Sequence, residues 1–470
     1  MKVYNTLSGQ KEELVLENPP EIKMYVCGPT TYNFIHLGNA RPLVVFDTVR
    51  RYLEFKGYDV TYVQNFTDVD DKIINRAAED GIDAQTLAGK YIDEYFVDAD
   101  RLGIRRADVH PRVSEHIPQI VEAIERLIEK GFAYEVEGDV YYRVKSFAEY
   151  GKLSHRSLED MLAGARVEVD DRKEEPVDFA LWKAAKEGEP SWPSPWGPGR
   201  PGWHIECSVM STYYLGDTLD IHGGGSDLIF PHHENEIAQA EALTGKPFVR
   251  CWMHNGFITV NSEKMSKSLG NFFILRDILD KFPADVVRFY LISTHYRSPL
   301  DFDDGKLEEA RRALGRLKNT LFLGREYLAD KDSGESEALD EVAGKFINEI
   351  QVLQAKFIEA MDDDFNTAKA LGFLFDMARN INSFMIANTS NEPQNIYVIK
   401  QALAFFEELG QVMGFFMKHK DTEKNMSADL VSILLELRTI GRLRKDYREV
   451  AVSIRDYLLD NKVSIEDTEE

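Results

Sequence analysis

The feature that most constrains the fold is a buried strand, a helix and a second buried strand in close succession near the start of the chain. The hydrophobic pattern predicts strands over Lys23 to Cys27 and Asp59 to Asn65, with an amphipathic helix over Pro42 to Lys56 that stops at Gly57. Strands joined by a helix of this length lie parallel in one sheet. Ligands of such sheets bind beyond the carboxyl ends of the strands.

The α/β pattern is then interrupted and resumes. Pro111 to Lys130 is helical in pattern, Phe132 to Val144 resembles a hairpin, and Tyr150 to Gly202 is rich in charges, proline and glycine, which favours an insertion. After Gly202 we predict, in order, the helix 205–215, the strand 218–222, the helix 233–243 and the strand 249–253. Beyond these, apolar spacings of three and four residues predict the helices 306–328, 342–361, 367–386 and 399–417.

These patterns predict an α/β fold: a Rossmann-like parallel-sheet catalytic domain with an insertion, followed by an α-helical bundle domain. The predicted bounds are 1–115 for the first half of the catalytic domain, 116–202 for the insertion, 203–300 for the second half, 301–420 for the bundle and 421–470 for a tail.

Composition narrows the class of function. The net charge of −24 argues against non-specific binding of nucleic acid, although a local basic face remains compatible with it. Three scattered cysteines are too few for a disulfide framework and favour a reducing compartment. Because the chain lacks an apolar run of about 18 residues, we expect a cytoplasmic protein with no membrane association.

Two short motifs have the chemistry of phosphate binding. His36-Leu37-Gly38-Asn39 lies between the first strand and the first helix, where backbone N–H groups and the helix dipole favour anions. Lys264-Met265-Ser266-Lys267-Ser268 offers two lysines in a loop that can neutralise charge on a phosphorus. A solvated loop histidine and an exposed charged turn are the plainer interpretations of each motif taken alone.

Together the two motifs resemble the signatures of class I aminoacyl-tRNA synthetases, and longer segments resemble the cysteinyl-tRNA synthetases. The residues that carry this resemblance are 24–30 (MYVCGPT), 65–72 (NFTDVDDK), 202–208 (GWHIECS), 222–227 (HGGGSD), 230–236 (FPHHENE) and, more loosely, 363–367 (DDFNT). One position departs from the family, whose first motif often ends in His. Asn39 stands there in this chain, and its amide can donate a hydrogen bond but cannot carry positive charge.

The resemblance implies one zinc ion held by two thiolates, one imidazole and one carboxylate. The residues at the matching positions are Cys27, Cys207, His232 and Glu236. Judged from the residues alone, Cys27 and Cys207 would be ordinary buried cysteines. A zinc ion would discriminate cysteine from serine. Apolar contacts alone would give a selectivity of only about a hundredfold.

The resemblance also assigns the substrate sites. His36, Asn39, Lys264 and Lys267 would stabilise the phosphates of ATP, which is bound with Mg²⁺. Gly28, Thr67 and Trp203 match residues of the cysteine pocket, and His222 to Asp227 is predicted as a glycine-rich turn beside adenosine, with Asp227 on the ribose.

The implied activity is that of a cysteine-tRNA ligase, a monomer whose partners are L-cysteine, ATP and tRNA(Cys). Two alternatives remain open: a ligase that passes cysteine to an amino sugar, and an inactive RNA-binding relative. For tRNA contacts the sequence offers two basic clusters, and we prefer the second: Arg311, Arg312, Arg316 and Lys318; Arg438, Arg442, Arg444, Lys445 and Arg448.

Overall fold

The computed structural model describes residues 1–159, 172–260, 273–329, 331, 339–389 and 392–416, and the backbone of 263–264. The predictions for Lys267 and for the tail 421–470 lie outside these residues. The strands are β1 (Lys2–Asn5), β2 (Gln10–Glu13), β3 (Glu21–Val26), β4 (Asp59–Gln64), β5 (Ala133–Val136), β6 (Asp139–Tyr142), β7 (Phe179–Ala184), β8 (Gly199–Pro201), β9 (Leu219–Gly225), β10 (Val249–Asn255), β11 (Ile258–Val260), β12 (Glu263–Lys264) and β13 (Leu300–Asp301).

The described α-helices number twelve. They are α1 (Leu37–Phe55), α2 (Asp71–Asp80), α3 (Ala84–Arg101), α4 (Ile117–Glu129), α5 (Trp203–Leu215), α6 (Glu234–Thr244), α7 (Leu275–Leu279), α8 (Ala284–Ile292), α9 (Asp304–Leu328), α10 (Glu341–Asp362), α11 (Thr367–Ala387) and α12 (Pro393–Val412).

The central sheet has the strand order β10-β9-β3-β4, and all three pairings are parallel. Val26 pairs with Gln64 on one side and with Gly223 on the other, so the carboxyl ends of these strands lie at one edge. The prediction of a Rossmann-like parallel sheet is confirmed. Cys27 and Asn65, which follow β3 and β4, are therefore placed at the ligand-binding edge.

The first helix begins earlier than predicted, at Leu37 instead of Pro42. The predicted helix started at Pro42, a residue type that is favoured in a first helical turn. In the structure a capping box sets the start: the His36 side chain accepts from the Asn39 backbone N–H, and the Asn39 side chain accepts from that of His36.

The glycine run was predicted as a turn that begins after the strand, whereas β9 continues through it to Gly225. Close packing explains the glycines. A Cβ on Gly223 would lie 2.3 Å from the Phe46 ring of α1, and one on Gly224 would lie 2.8 Å from the His233 ring. These residues allow the strand to lie directly against its neighbours.

The insertion contains an antiparallel sheet with the order β5-β6-β7-β8. The β5–β6 pair agrees with the predicted hairpin. The strands β7 and β8 fall in the segment Tyr150 to Gly202, whose prolines and charges predicted an insertion and its exit loop but no particular strand. A separate small pair, β1 with β2, was also missed.

Helices α9 to α12 pack on one another as the predicted bundle. Their apolar side chains join those of the central sheet in one continuous core, which includes Val45 of α1 and Leu374 of α11. The residues from Met1 to Phe416 form one compact unit. Within the described part of the chain, no helix is both long enough and apolar enough to cross a membrane.

Candidate active site

Four side chains that could hold a metal ion meet at the carboxyl edge of the central sheet. Cys27 follows β3, Cys207 lies in α5, His232 precedes α6, and Glu236 lies in its first turn. One ligand atom from each lies within 4.8 Å of all the others. The two Sγ atoms are 3.7 Å apart, and His232 Nε2 lies 3.0 Å from Glu236 Oε1. We call this set the thiol cage.

The charges of the thiol cage are strongly coupled. A hydrogen bond from Cys27 lowers the pKa of Cys207 to about 6, whereas burial raises the pKa of Cys27. Burial opposes the charge of His232, but Glu236 outweighs it and raises the imidazole pKa to about 10. Burial likewise opposes the carboxylate of Glu236, and His222 with His232 lowers its pKa well below the usual range. Buried anionic donors of this kind favour a cation.

Three further histidines orient the cage. His222 Nε2 lies 2.8 Å from Glu236 Oε2, and His204 Nδ1 lies 3.0 Å from His232 Nδ1. His233 Nε2 lies 3.3 Å from Cys27 Sγ. Burial holds the pKa of His204 and His233 well below the usual value, which favours neutral rings.

A relay of hydrogen bonds runs from Thr6 to Cys27. Thr6 Oγ1 lies 2.7 Å from His254 Nδ1, and His254 Nε2 lies 2.8 Å from His233 Nδ1. Neutral rings allow donation along this relay in either direction, and donation from Thr6 through His254 and His233 to the Cys27 sulfur is the direction that stabilises a thiolate there.

A second set of possible ligands shares two members with the thiol cage: Cys27, His222, His233 and Glu236. Sequence reasoning placed His233 outside the ligand set and His222 beside the nucleotide. It missed the orienting roles of both, because the partners that define them lie in other elements: Cys27 follows β3, and Glu236 lies in α6.

A cleft of about 320 Å³ opens beside the thiol cage, and Cys27 lines it. His36, Gly38 and Asn39 form part of its wall, and Gly225, Asp227, Asn255 and Gly256 are also among its lining residues. The capping box determines which polar atoms His36 and Asn39 can offer to a ligand. Because His36 Nδ1 and Asn39 Oδ1 accept backbone hydrogen bonds, any hydrogen bond that these side chains donate comes from the imidazole Nε2–H or the amide Nδ2–H groups.

Gly28, Trp203 and Asp227 line this cleft. A Cβ on Gly28 would lie 1.6 Å from the Asn65 carbonyl oxygen, so only glycine permits this approach of β3 to β4. The Trp203 ring stacks on His232 with centroids 4.2 Å apart.

Two other predicted pocket residues are not in the cleft lining. Thr67 is buried, and its hydroxyl donates to Glu206 Oε2 at 3.1 Å. His222 is buried behind Glu236 as described above. The Lys264 side chain and Lys267 lie outside the described part of the chain.

Comparison with known proteins gives a consistent result. A family model described as the tRNA synthetases class I (C) catalytic domain matches residues 14–312, and a DALR domain model matches residues 356–417. A protein of Carboxydothermus hydrogenoformans named cysteine–tRNA ligase is 57% identical over 472 residues, covering 100% of this chain and 98% of that protein. A cysteine–tRNA ligase of Desulforamulus reducens is 57% identical over 479 residues with the same coverage.

Among solved structures, methionyl-tRNA synthetase of Mycobacterium tuberculosis in complex with methionyl-adenylate aligns with a TM-score of 0.66 and 16% identity. The alignment covers 84% of this chain and 91% of that chain, and at this identity it concerns the fold alone. The catalytic-domain model spans more than half of the sequence, and both relatives align along all of it. The chain therefore belongs to the cysteine–tRNA ligase family of class I tRNA synthetases.

Proposed function

We propose that the chain activates L-cysteine with ATP and transfers the cysteinyl group to the terminal ribose of tRNA(Cys). The observation that carries this proposal is the position of Cys27, which belongs both to the thiol cage and to the lining of the cleft. A side chain that enters the cleft can thus reach the thiol cage, and His36 and Asn39 line the same cleft, where the triphosphate would bind.

The thiol cage is the better of the two possible metal sites. It contains both sulfur donors, which a borderline-soft cation such as zinc prefers. Three of its members, Cys27, His232 and Glu236, each have an outer histidine partner, the usual support of metal ligands. The alternative set would use His222 and His233 as ligands and leave Cys207 out. Zinc bound to the thiol cage would favour the substrate thiol over the hydroxyl of serine.

The cleft residues supply positioning and charge stabilisation. The cysteine carboxylate attacks the α-phosphorus of ATP and pyrophosphate leaves; a ribose hydroxyl of tRNA then attacks the carbonyl carbon and AMP leaves. Neither step forms a bond to the protein. His36 and Asn39 would donate hydrogen bonds to the triphosphate, with Lys264 and Lys267 as further cations, and Asp227 would accept from ribose.

Binding of tRNA is supported by the DALR match and by the family. Of the two basic clusters, the one in α9 is partly neutralised, because Lys318 lies 2.6 Å from Asp285 and Arg311 lies 3.4 Å from Glu308. The second cluster, around Arg442, lies outside the described residues and remains our preferred candidate. Monomeric state and cytoplasmic location remain predictions.

Pyrophosphate exchange, measured separately with each standard amino acid and followed by charging of tRNA, tests the proposal. Cysteine should support exchange and label tRNA(Cys). Comparable exchange with serine would contradict the proposal. Cysteine-dependent exchange with acylation of an amino sugar but not of tRNA would establish the alternative ligase.

A further inference from the structure

Lys72 is placed to act as a cation of the cleft. It is the second residue of α2, and it lines the cleft together with Tyr32. Its ammonium lies 5.8 Å from the centroid of the Tyr32 ring. Among the described residues that line the cleft, no other is a lysine or an arginine.

The acidic neighbours of Lys72 in the sequence bind other groups. Asp70 caps α2 by accepting from the Lys72 backbone N–H at 2.9 Å. Asp71 binds Arg200 at 2.5 Å and Lys183 at 2.8 Å, which ties the start of α2 to strands of the insertion. No carboxylate oxygen of the described residues lies within 4.0 Å of the Lys72 ammonium. Its backbone is thus held in place, and its ammonium forms no ion pair with a described residue.

We propose that Lys72 binds a phosphate group of a substrate at this side of the cleft. The inference rests on the proposed function, which supplies two sources of phosphate: ATP and the acceptor end of the RNA. A lysine acts as a hydrated point charge on a flexible stem, which suits either source. In a chain with a net charge of −24, a polyanion gains most from a cation that is not already paired with a carboxylate.

The test compares Lys72→Ala, Lys72→Arg and a matched control, Lys90→Ala. Lys90 is an exposed lysine of α3 whose ammonium lies 5.4 Å from the Tyr91 ring, and it does not line the cleft. The dissociation constants of ATP and of tRNA are measured without cysteine over a range of salt concentrations. Lys72→Ala should weaken one of the two by roughly tenfold, whereas Lys72→Arg and Lys90→Ala should retain most of the affinity.

The two sources give different results. If Lys72→Ala loses affinity for tRNA alone, and the slope of log affinity against log salt concentration becomes shallower by about 0.7, Lys72 binds an RNA phosphodiester. A loss for ATP alone assigns a nucleotide phosphate. If Lys72→Ala matches Lys90→Ala for both ligands, or if it raises only the KM for cysteine, the inference is wrong. A wild type without cysteine-dependent exchange would defeat the proposed function, whereas the binding comparison would still decide the role of Lys72.

Discussion

At the scale of single residues, the chemistry of the site depends on holding a buried carboxylate next to two thiols. Glu236 is fully buried, and its two oxygens are shared between His222 and His232. Burying such a carboxylate without partners would cost several kcal/mol. A cation bound by these donors would replace the proton that His232 shares with Glu236.

We expect Cys207→Ser to lose zinc and cysteine activation together, because a neutral hydroxyl is a poor substitute for a thiolate ligand. The loss of zinc affinity should exceed the roughly 10–100-fold typical of removing an outer partner. Cys251→Ser is the control, since Cys251 is also buried but lies in β10 outside both ligand sets. Metal content and pyrophosphate exchange measure the two effects. A metal-free Cys207→Ser enzyme with normal exchange would refute the assignment.

The ligands show what a single sequence can reveal at this scale. The i, i+4 spacing of His232 and Glu236 is visible as one helical face, but Cys27 and Cys207 are far apart and belong to different elements. Only the fold brings them together. Without the family resemblance, both would remain ordinary buried cysteines.

At the scale of elements, the start of α1 anchors both sides of the segment that contains Lys264 and Lys267. Leu37 N donates to Phe273 O at 3.0 Å, and Leu275 N donates to Ile35 O at 3.0 Å. Arg41 is buried and donates to Gly256 O at 2.9 Å and to Phe257 O at 2.8 Å. Its other terminal nitrogen donates to the carbonyl oxygens of Tyr296 and Ser298.

Arg41 is therefore a positioning residue, since Gly256 and Phe257 line the cleft together with Gly38 and Asn39 of its own helix. A lysine there cannot reach four carbonyls, and each buried acceptor left unpaired costs about 1–3 kcal/mol. We expect Arg41→Lys to raise the KM for ATP in pyrophosphate exchange while the KM for cysteine changes little.

The control for this change is Arg50→Lys in the same helix, where the guanidinium pairs with Glu54 and Asp108. Thermal unfolding of both variants accounts for any general loss of stability. If Arg41→Lys lowers the melting temperature but leaves the KM for ATP unchanged, Arg41 stabilises the fold without positioning the cleft.

Element bounds were predictable where the hydrophobic period is regular, as in α9 and α11. The bounds were harder to predict where a side-chain contact determines the first or last residue of an element. The capping box of His36 and Asn39 overrides the signal of Pro42, and Gly223 and Gly224 remain in a strand because Phe46 and His233 fill the space beside them.

At the scale of the whole molecule, a buried ion cluster connects the catalytic sheet to the end of the bundle. Asp47 of α1 binds Arg51 at 2.7 Å and Arg288 at 2.6 Å, and Arg288 also donates to Met413 O at 3.4 Å. Burial opposes ionisation of Asp47, but Arg288 and Arg51 outweigh it and hold its pKa below the usual value. The next residue, Gly414, has φ +77°, and a Cβ there would lie 2.1 Å from the Arg288 guanidinium.

We expect a chain that ends at Phe416 to retain most of its cysteine-dependent pyrophosphate exchange and to charge tRNA poorly. The compact unit Met1–Phe416 contains the thiol cage, the lining of the cleft and the ion cluster. The basic residues around Arg442 lie after it. The KM for tRNA should rise much more than the KM for ATP. Equal charging by the shortened and full chains would show that the tail does not bind tRNA.

Helical periodicity predicted the bundle, but it could not show that the bundle shares one core with the sheet. Periodicity identifies the apolar face of a helix but does not show which element packs against that face. The partner is visible only in contacts such as those of the buried Arg288.

A metal bound in the thiol cage would contact the thiol of the substrate. Zinc-edge X-ray absorption of the full chain, recorded before and after addition of cysteine, measures this contact. Before addition, the spectrum should show the two sulfur neighbours supplied by Cys27 and Cys207. Cysteine should add one more sulfur neighbour, and serine should add none. An unchanged sulfur number in the presence of saturating cysteine would contradict the account.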